Sequence, residues 1–426
     1  MGWLDSPGAA FVNRPSIFLF QSKPPPGTGN TDFKALIDPG QIPAENCPVV
    51  YCNEPDALLE WATAARKAGV NWILLRHVHG AFQLGPRFSD RQIGCLHCLT
   101  KRMHDLDPAC VQPLEGRGSP EIAWNHVMEA LQRRSVRPRV LEIFDADGSA
   151  GTPNYLAPWP DCAVCGSGAA KTTRPMTQGP LAVAAADGGW RVADAHATLR
   201  AIERHVGAVC GQVGWLRAAP LPSEVGGWMA VAPHPRGGGV RGLARGYGAT
   251  PEQAMAAALG RVFVPLAGPF DPMETASAGV WLEEAALHAL CTLAAARIAS
   301  GWPDPSVDWK DATHGISRPA GLCVVRSGQH VEVHPDLAVA ETRLQRRIWD
   351  LKNGAAFSKN GDARWCDIHG TSGIRPVPTL LEDGRIDEAL EVMQAWFGAA
   401  GLAFTIRDAS RPDVPLAVAA VRLKMM

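Results

Sequence analysis

The sequence predicts an α/β portion over residues 47–166 followed by an α+β portion over 167–426, with a proline- and glycine-rich extension over 1–46 in front. Three observations carry this reading. An apolar run, a helically spaced segment and a second apolar run follow one another between residues 48 and 75. Such a strand–helix–strand succession is the βαβ unit of a parallel sheet. Two Cys-x-x-Cys pairs frame the region from about 94 to 166. Beyond residue 195, helical patterns alternate with short strand-like runs.

The elements follow in order. Residues 1–46, which include Pro24-Pro25-Pro26-Gly27, read as an irregular arm. Pro48-Val49-Val50-Tyr51 has the composition of a buried strand. Leu58, Leu59, Ala62 and Ala65 carry helical spacing through residues 55–68, and Val70 to Leu75 is the second strand. Residues 120–134 form a helix inside the cysteine-framed region. Ser167 to Pro180 is small, polar and basic, as a linker would be. Helices are expected over 195–206, 253–264, 282–299, 336–351 and 387–397, and strands over 403–406 and 416–421. Thr250 has Gln253 three residues on, the spacing of a capping box. No repeat of fixed period occurs.

Composition excludes several classes. With 46% hydrophobic and 19% charged residues the chain is an ordinary globular one. Its 41 basic and 42 acidic residues argue against a general nucleic-acid binder, which needs a basic excess. No run approaches the roughly 20 apolar residues that cross a bilayer. Residues 1–21 lack the pattern of a secretory signal, so a cytoplasmic protein is expected.

The cysteines number eleven, and an odd count without an export signal argues against a disulfide framework. The first pair is Cys95-Leu96-His97-Cys98 and the second is Cys162-Ala163-Val164-Cys165-Gly166. Two-residue spacing lets both thiolates of a knuckle reach one ion, and two knuckles complete a tetrahedral shell of four sulfurs. Cys95, Cys98, Cys162 and Cys165 are therefore candidate zinc ligands. With no open position, that zinc would be structural. Gly166 suits a tight turn close to the sulfurs. The other reading is buried thiols in loops. A redox dithiol is disfavoured because neither pair is expected to open a helix after a strand. His97, between two ligands, is a surface or supporting residue.

Other groupings have ordinary explanations. Glu283-Glu284 opens a helix, where acidic side chains are stabilised by the helix dipole. Arg343, Arg346 and Arg347 form a basic stripe, read as a solvated face with a peptide or partner contact as the alternative. Gly237-Gly238-Gly239 lacks the Lys-Ser/Thr of a P-loop and reads as a hairpin tip. His77 and His79 alternate on one strand with no fixed acidic or hydroxyl partner. No Ser-His-Asp or His-Glu-x-x-His pattern appears. Some of the fourteen tryptophans could serve an interface.

Several stretches together resemble one family. Leu84-Gly85-Pro86, Gly94 to Arg102 and Pro160 to Gly166 are similar to the zinc region of cyclodehydratases that make azolines in ribosomal peptides. Asp187-Gly188-Gly189-Trp190-Arg191, Ala197-Thr198-Leu199 and Ala208-Val209-Cys210-Gly211 resemble the entry region of their YcaO domain. Gly246 to Ala254 resembles its glycine-flanked turn and first ATP helix, Leu282 to Leu290 its second helix, and Asp408 to Asp413 its closing motif. The resemblance spans about residues 48–426. It implies an E1-like α/β portion with a structural zinc, then a YcaO-like domain.

The departures concern the ATP site. Members bind magnesium-ATP through Glu and Gln on these helices, because ions bridging phosphates need oxygen ligands. By that resemblance, this chain has Arg261, Val264-Pro265, Thr292, Ala295, Gln345 and Ile348 at the expected positions, and Tyr247 where a lysine is usual. None is a good hard-cation ligand, which removes the magnesium site. The resemblance thus implies a subordinate, non-catalytic component that scaffolds or activates a true YcaO enzyme and helps hold its precursor peptide. The alternative is an active ATP-dependent cyclodehydratase. A homodimer or heterodimer is implied, with no nucleic acid or membrane partner.

Overall fold

The computed structural model describes residues 16–20, 24, 27–29, 31–43, 46–78, 81–90, 92, 94–105, 119–133, 136–144, 153–159, 162–166, 191, 195–207, 209–234, 242–268, 270–300, 314–317, 323–354, 366–367, 385–410, 414 and 416–425. The expected linker at 167–180, the glycine triplet at 237–239 and His79 lie outside these residues. The chain divides into two compact units, Met1–Ala169 with Arg204–Gly214, and Ala170–Glu203 with Trp215–Met426.

The first unit is built on a seven-stranded sheet. Its strands are β1 (Ile17–Leu19), β2 (Phe33–Ala35), β3 (Val49–Tyr51), β4 (Trp72–Val78), β5 (Ala81–Phe88), β6 (Val140–Phe144) and β7 (Asn154–Tyr155), in the order β2-β1-β3-β4-β5-β6-β7. Strands β1 to β4 run parallel, and β5, β6 and β7 are added antiparallel. A 3₁₀ turn over Pro55–Leu58 and helix α1 (Leu59–Lys67) cross from β3 to β4, giving the expected βαβ unit. The strands are apolar on both faces, as a covered parallel sheet requires. Val50, Trp72 and Leu74 pack with α1 and α2 (Leu96–Asp105). Val49, Tyr51, Ile73 and Leu75 pack with α3 (Pro120–Arg133) on the other face. The arm read as irregular contains two of the strands, β1 and β2. Three residues are too few to show an alternating pattern in sequence.

The second unit holds three antiparallel sheets. The first contains β8 (Arg217–Pro220), β9 (Trp228–Pro233), β10 (Leu243–Gly248) and β15 (Cys366–Asp367), in the order β10-β9-β8-β15. The second runs β11 (Glu274–Gly279), β17 (Ala417–Met425), β16 (Leu402–Asp408), and the third β12 (His314–Ser317), β13 (Cys323–Ser327), β14 (His330–His334). Its helices are α4 (Ala195–Ile202), α5 (Pro251–Phe263), α6 (Leu282–Ala299), α7 (Leu337–Trp349) and α8 (Ile386–Ala399). Thr250 caps α5 as expected: its hydroxyl accepts from the Gln253 N–H at 3.3 Å, and the Gln253 side chain accepts from the Thr250 N–H at 3.2 Å. Helix α6 is buried on nearly every side, the behaviour of a helix apolar all round, and lies at the centre of the main core with β13, β14, β17 and α8. No helix among the described residues is long and apolar enough to cross a membrane.

Candidate functional site

The two cysteine pairs converge within the first unit. Cys95 directly precedes α2 and Cys98 lies in its first turn, contrary to the expectation that neither pair opens a helix. Cys162 and Cys165 sit on a turn closed by the Gly166 N–H donating to the Cys162 carbonyl at 2.8 Å, with Gly166 at φ 67°. That left-handed conformation is the reason for the glycine. Cys95 Sγ is 4.0 Å from Cys98 Sγ and 3.7 Å from Cys162 Sγ, and Cys98 Sγ is 3.5 Å from Cys165 Sγ. All four sulfurs lie within 4.8 Å of one another. A tetrahedral zinc with Zn–S bonds of about 2.3 Å sets its sulfurs about 3.8 Å apart. The donor set and its spacing fit a metal ion. Contacts with neighbouring thiols and burial push the Cys95 and Cys98 thiols up in pKa. A dication at the centre reverses that preference and holds them as thiolates.

The surroundings fix the second knuckle. Arg102 of α2 donates to the carbonyls of Ala157 and Pro158, at 3.3 and 2.7 Å, and its guanidinium lies 4.9 Å over the Trp159 ring. The Ala157 N–H donates to the Cys210 carbonyl at 3.2 Å. His97 turns to Thr63, 3.4 Å away, so it is a supporting residue. His77 packs on Phe82 at 4.7 Å between ring centroids, and its Nε2 is buried without a partner. Among the described residues no acid or nucleophile hydrogen-bonds to its ring.

The second unit contains a cleft of about 560 Å³. Three helices each present one stripe to it. Helix α5 contributes Ala257, Gly260 and Arg261, with Val264 following, and α6 contributes His288, Thr292 and Ala295. Helix α7 contributes Arg343, Arg346 and Arg347, followed by Asp350. These spacings of three and four residues are one face of an α-helix. Strands β10, β11 and β14 add Tyr247, Ala276 to Ala278 and Glu332, and Arg191 completes the wall. Gly246 and Gly248 of β10 lie against the backbone of α5, where a Cβ would meet Ala254 and Ala258, or Gln253 and Ala254. Only glycine admits that approach.

Arginine dominates the electrostatics. Glu332 accepts from Arg347 at 2.9 Å and lies 3.6 Å from Arg343. Asp350 accepts from Arg245 at 3.2 Å. Glu284, fully buried, accepts from Arg191 at 2.7 Å. Arg261 is accessible along the cleft yet closely surrounded by protein, and this enclosure lowers its pKa below the ordinary arginine value. Burial and the neighbouring Asp350 raise the pKa of Tyr247, which stays a neutral phenol.

The residues that depart from the pattern implied by the resemblance meet here. Tyr247, Arg261, Val264, Pro265, Thr292 and Ala295 all line the cleft. The stripe on α7 is displaced from its expected positions. Gln345 is exposed and absent from the lining, and Ile348 packs with Cys323, Val325, Ala340 and Leu344. The cleft receives Arg343, Arg346 and Arg347 instead, so the basic stripe is not simply a solvated face. His288, Glu332 and Asp350 were not identified from sequence, and Arg191 only as part of the entry-region motif. The 3,4 spacing running from Arg343 to Asp350 was the available signal.

No family model matches the sequence, and no curated protein matches it. Solved structures do match. A heterocyclase in complex with substrate and cofactor aligns over 96% of this chain and 80% of its own, at 14% identity and a TM-score of 0.64. The heterocyclase TruD aligns over 96% and 79% at 14% identity, with a TM-score of 0.48. YcaO from Methanopyrus kandleri, bound with AMPPCP and Mg2+, aligns over 57% and 94% at 14% identity, with a TM-score of 0.37. The first of these likenesses establishes the fold. The chain has the heterocyclase fold, in keeping with the resemblance to the YcaO cyclodehydratases.

Proposed function

We propose that this chain is a component of an azole- or azoline-type peptide-modification complex. It acts there as a non-catalytic or subordinate scaffold and activator for a true YcaO enzyme, and helps hold the precursor peptide. The observation that carries this reading is the cleft lining. Arg261, Val264, Pro265, Thr292 and Ala295 stand where the resemblance expects oxygen ligands for magnesium. The two carboxylates that do line it, Glu332 and Asp350, already accept from arginines. A magnesium ion there would have few oxygens to bind and cationic neighbours to repel it.

The first unit is proposed as the E1-like portion, with zinc on Cys95, Cys98, Cys162 and Cys165. Four thiolates leave no open position, so that zinc holds two knuckles together and performs no step. Elemental analysis of metal-replete protein should find about one zinc per chain. A value well below one would remove the assignment.

The test of the functional reading is calorimetric titration with magnesium-ATP, alone and with the precursor peptide, followed by reconstitution with a partner YcaO enzyme. Peptide or enzyme binding without magnesium-ATP binding supports the scaffold. Micromolar, magnesium-dependent ATP binding would replace it with the active cyclodehydratase.

A further inference from the structure

Five arginines and two carboxylates line the cleft of the second unit. Both carboxylates are shared or taken: Glu332 serves Arg343 and Arg347, and Asp350 serves Arg245. Arg191 is matched by Glu284 beneath the surface. The arginines of the cleft outnumber its carboxylates. Arg261 has no hydrogen bond or ion pair among the described residues, and Nη1 of Arg343 is buried without a partner. Glu332 and Asp350 also act on the charge of Arg261, yet five arginines share these two carboxylates and Glu284. An excess of guanidinium in a walled, concave space concentrates the field on anions. The guanidinium fork also matches the oxygens of phosphate.

We infer that this cleft is a binding site for a small phosphate-bearing anion, held directly by arginine without a divalent cation. The inference rests on the preceding reading, that the magnesium site is gone. Arginines approach from α5, from α7 and from Arg191, so the cleft offers donors to one anion from several sides. A single carboxylate could use only one fork. An anion with several charged oxygens can use several. The cleft volume of about 560 Å³ lies within the range of small-molecule pockets, with room for an oligophosphate or a nucleotide. Magnesium should oppose binding, because it neutralises the charge that the arginines recognise.

The test is calorimetric titration of the full chain with tripolyphosphate, first in EDTA and then in excess magnesium. Binding is expected in EDTA, weakened about tenfold or more by magnesium and by Arg261→Gln. Added salt should weaken it further. Thr292→Glu is the second variant, since Thr292 is an exposed residue of the cleft wall, and it should also weaken binding. A far-UV spectrum and melting curve confirm that each variant is folded. Silence in both buffers would overturn the inference while leaving the scaffold reading in place. Binding that appears only with magnesium would overturn both. Unchanged affinity in both folded variants would place the anion elsewhere. Capture of an acidic peptide with no response to tripolyphosphate would overturn the phosphate assignment.

Discussion

The four-cysteine cluster and the arginine-lined cleft solve opposite electrostatic problems. The cluster gathers groups that can become anions, three of them buried and Cys165 half-buried, within 4.8 Å of one another. The cleft gathers groups that are always cations, leaves a space of about 560 Å³ and stays open to solvent. On the proposed reading the first arrangement is settled by a cation and the second by an anion. If both proposals hold, the difference is that between a joint, which keeps its ion, and a receptor, which exchanges its ligand.

The largest effect should come from the joint. Structural zinc sites contribute about 10–16 kcal/mol of apparent binding energy, comparable with the whole stability of a domain. Cys98→Ser should therefore lose the metal and the native packing of the first unit. Zinc content and near-UV circular dichroism check this; retention of a full equivalent of zinc with an unchanged spectrum would break the comparison.

Glu332→Gln probes the cleft with two opposite signs. Glu332 is nearly buried and shared by Arg343 and the half-exposed Arg347, so its loss leaves partly solvated cations unmatched and should cost about 1 kcal/mol. The same change should tighten tripolyphosphate binding. A variant that loses stability but gains no affinity would mean that the arginines answer only to each other and to the core.

Acid should act on the first unit in a defined window. Burial lowers His205 to a pKa of about 4, with its Nδ1 2.9 Å from the Gln212 oxygen. An unfolded histidine takes up its proton near pH 6.5. Between those values the unfolded chain binds more protons, so stability falls as pH drops from about 6.5 towards about 4. The loss is at most about 3 kcal/mol. His205→Gln should flatten this slope in zinc-replete protein, measured by denaturant midpoints across the window. An unaltered slope would assign it to other groups.

The smallest effect belongs to the α5 cap. Thr250→Ala removes the hydroxyl that accepts from Gln253 and should cost about 1 kcal/mol. Tripolyphosphate affinity should stay the same, since Thr250 does not line the cleft. A loss of affinity would tie the cap to the position of Arg261.

Much of the fold was legible because long periodic segments state their partners. The helices through residues 282–299 and 336–351 appear almost where expected, and the capping box at Thr250 forms both of its bonds. The knuckles were legible from cysteine spacing alone, and the four sulfurs come together. The arm was misread because β1 and β2 are three residues each and owe their place to pairing with β3 and each other. The cleft was half legible. The replaced ligands on α5 and α6 line it, but α7 turns Arg343, Arg346 and Arg347 to the cleft and not Gln345 and Ile348, the positions the resemblance implies. A basic stripe carries no sign of what it faces. Arg191 and Glu332 lie far apart in sequence and are brought to one cleft by tertiary structure.

The glycines of β10 carry one more consequence. Gly246 meets the α5 backbone at Ala254 and Ala258, and Arg261 follows about one turn beyond Ala258 on the same side. An added methyl group at 246 would have to lift the helix, and the guanidinium would travel with it. Gly246 does not line the cleft. The grip on a ligand can therefore drift through substitutions at a position that touches no ligand, and such a change would pass for a matter of packing.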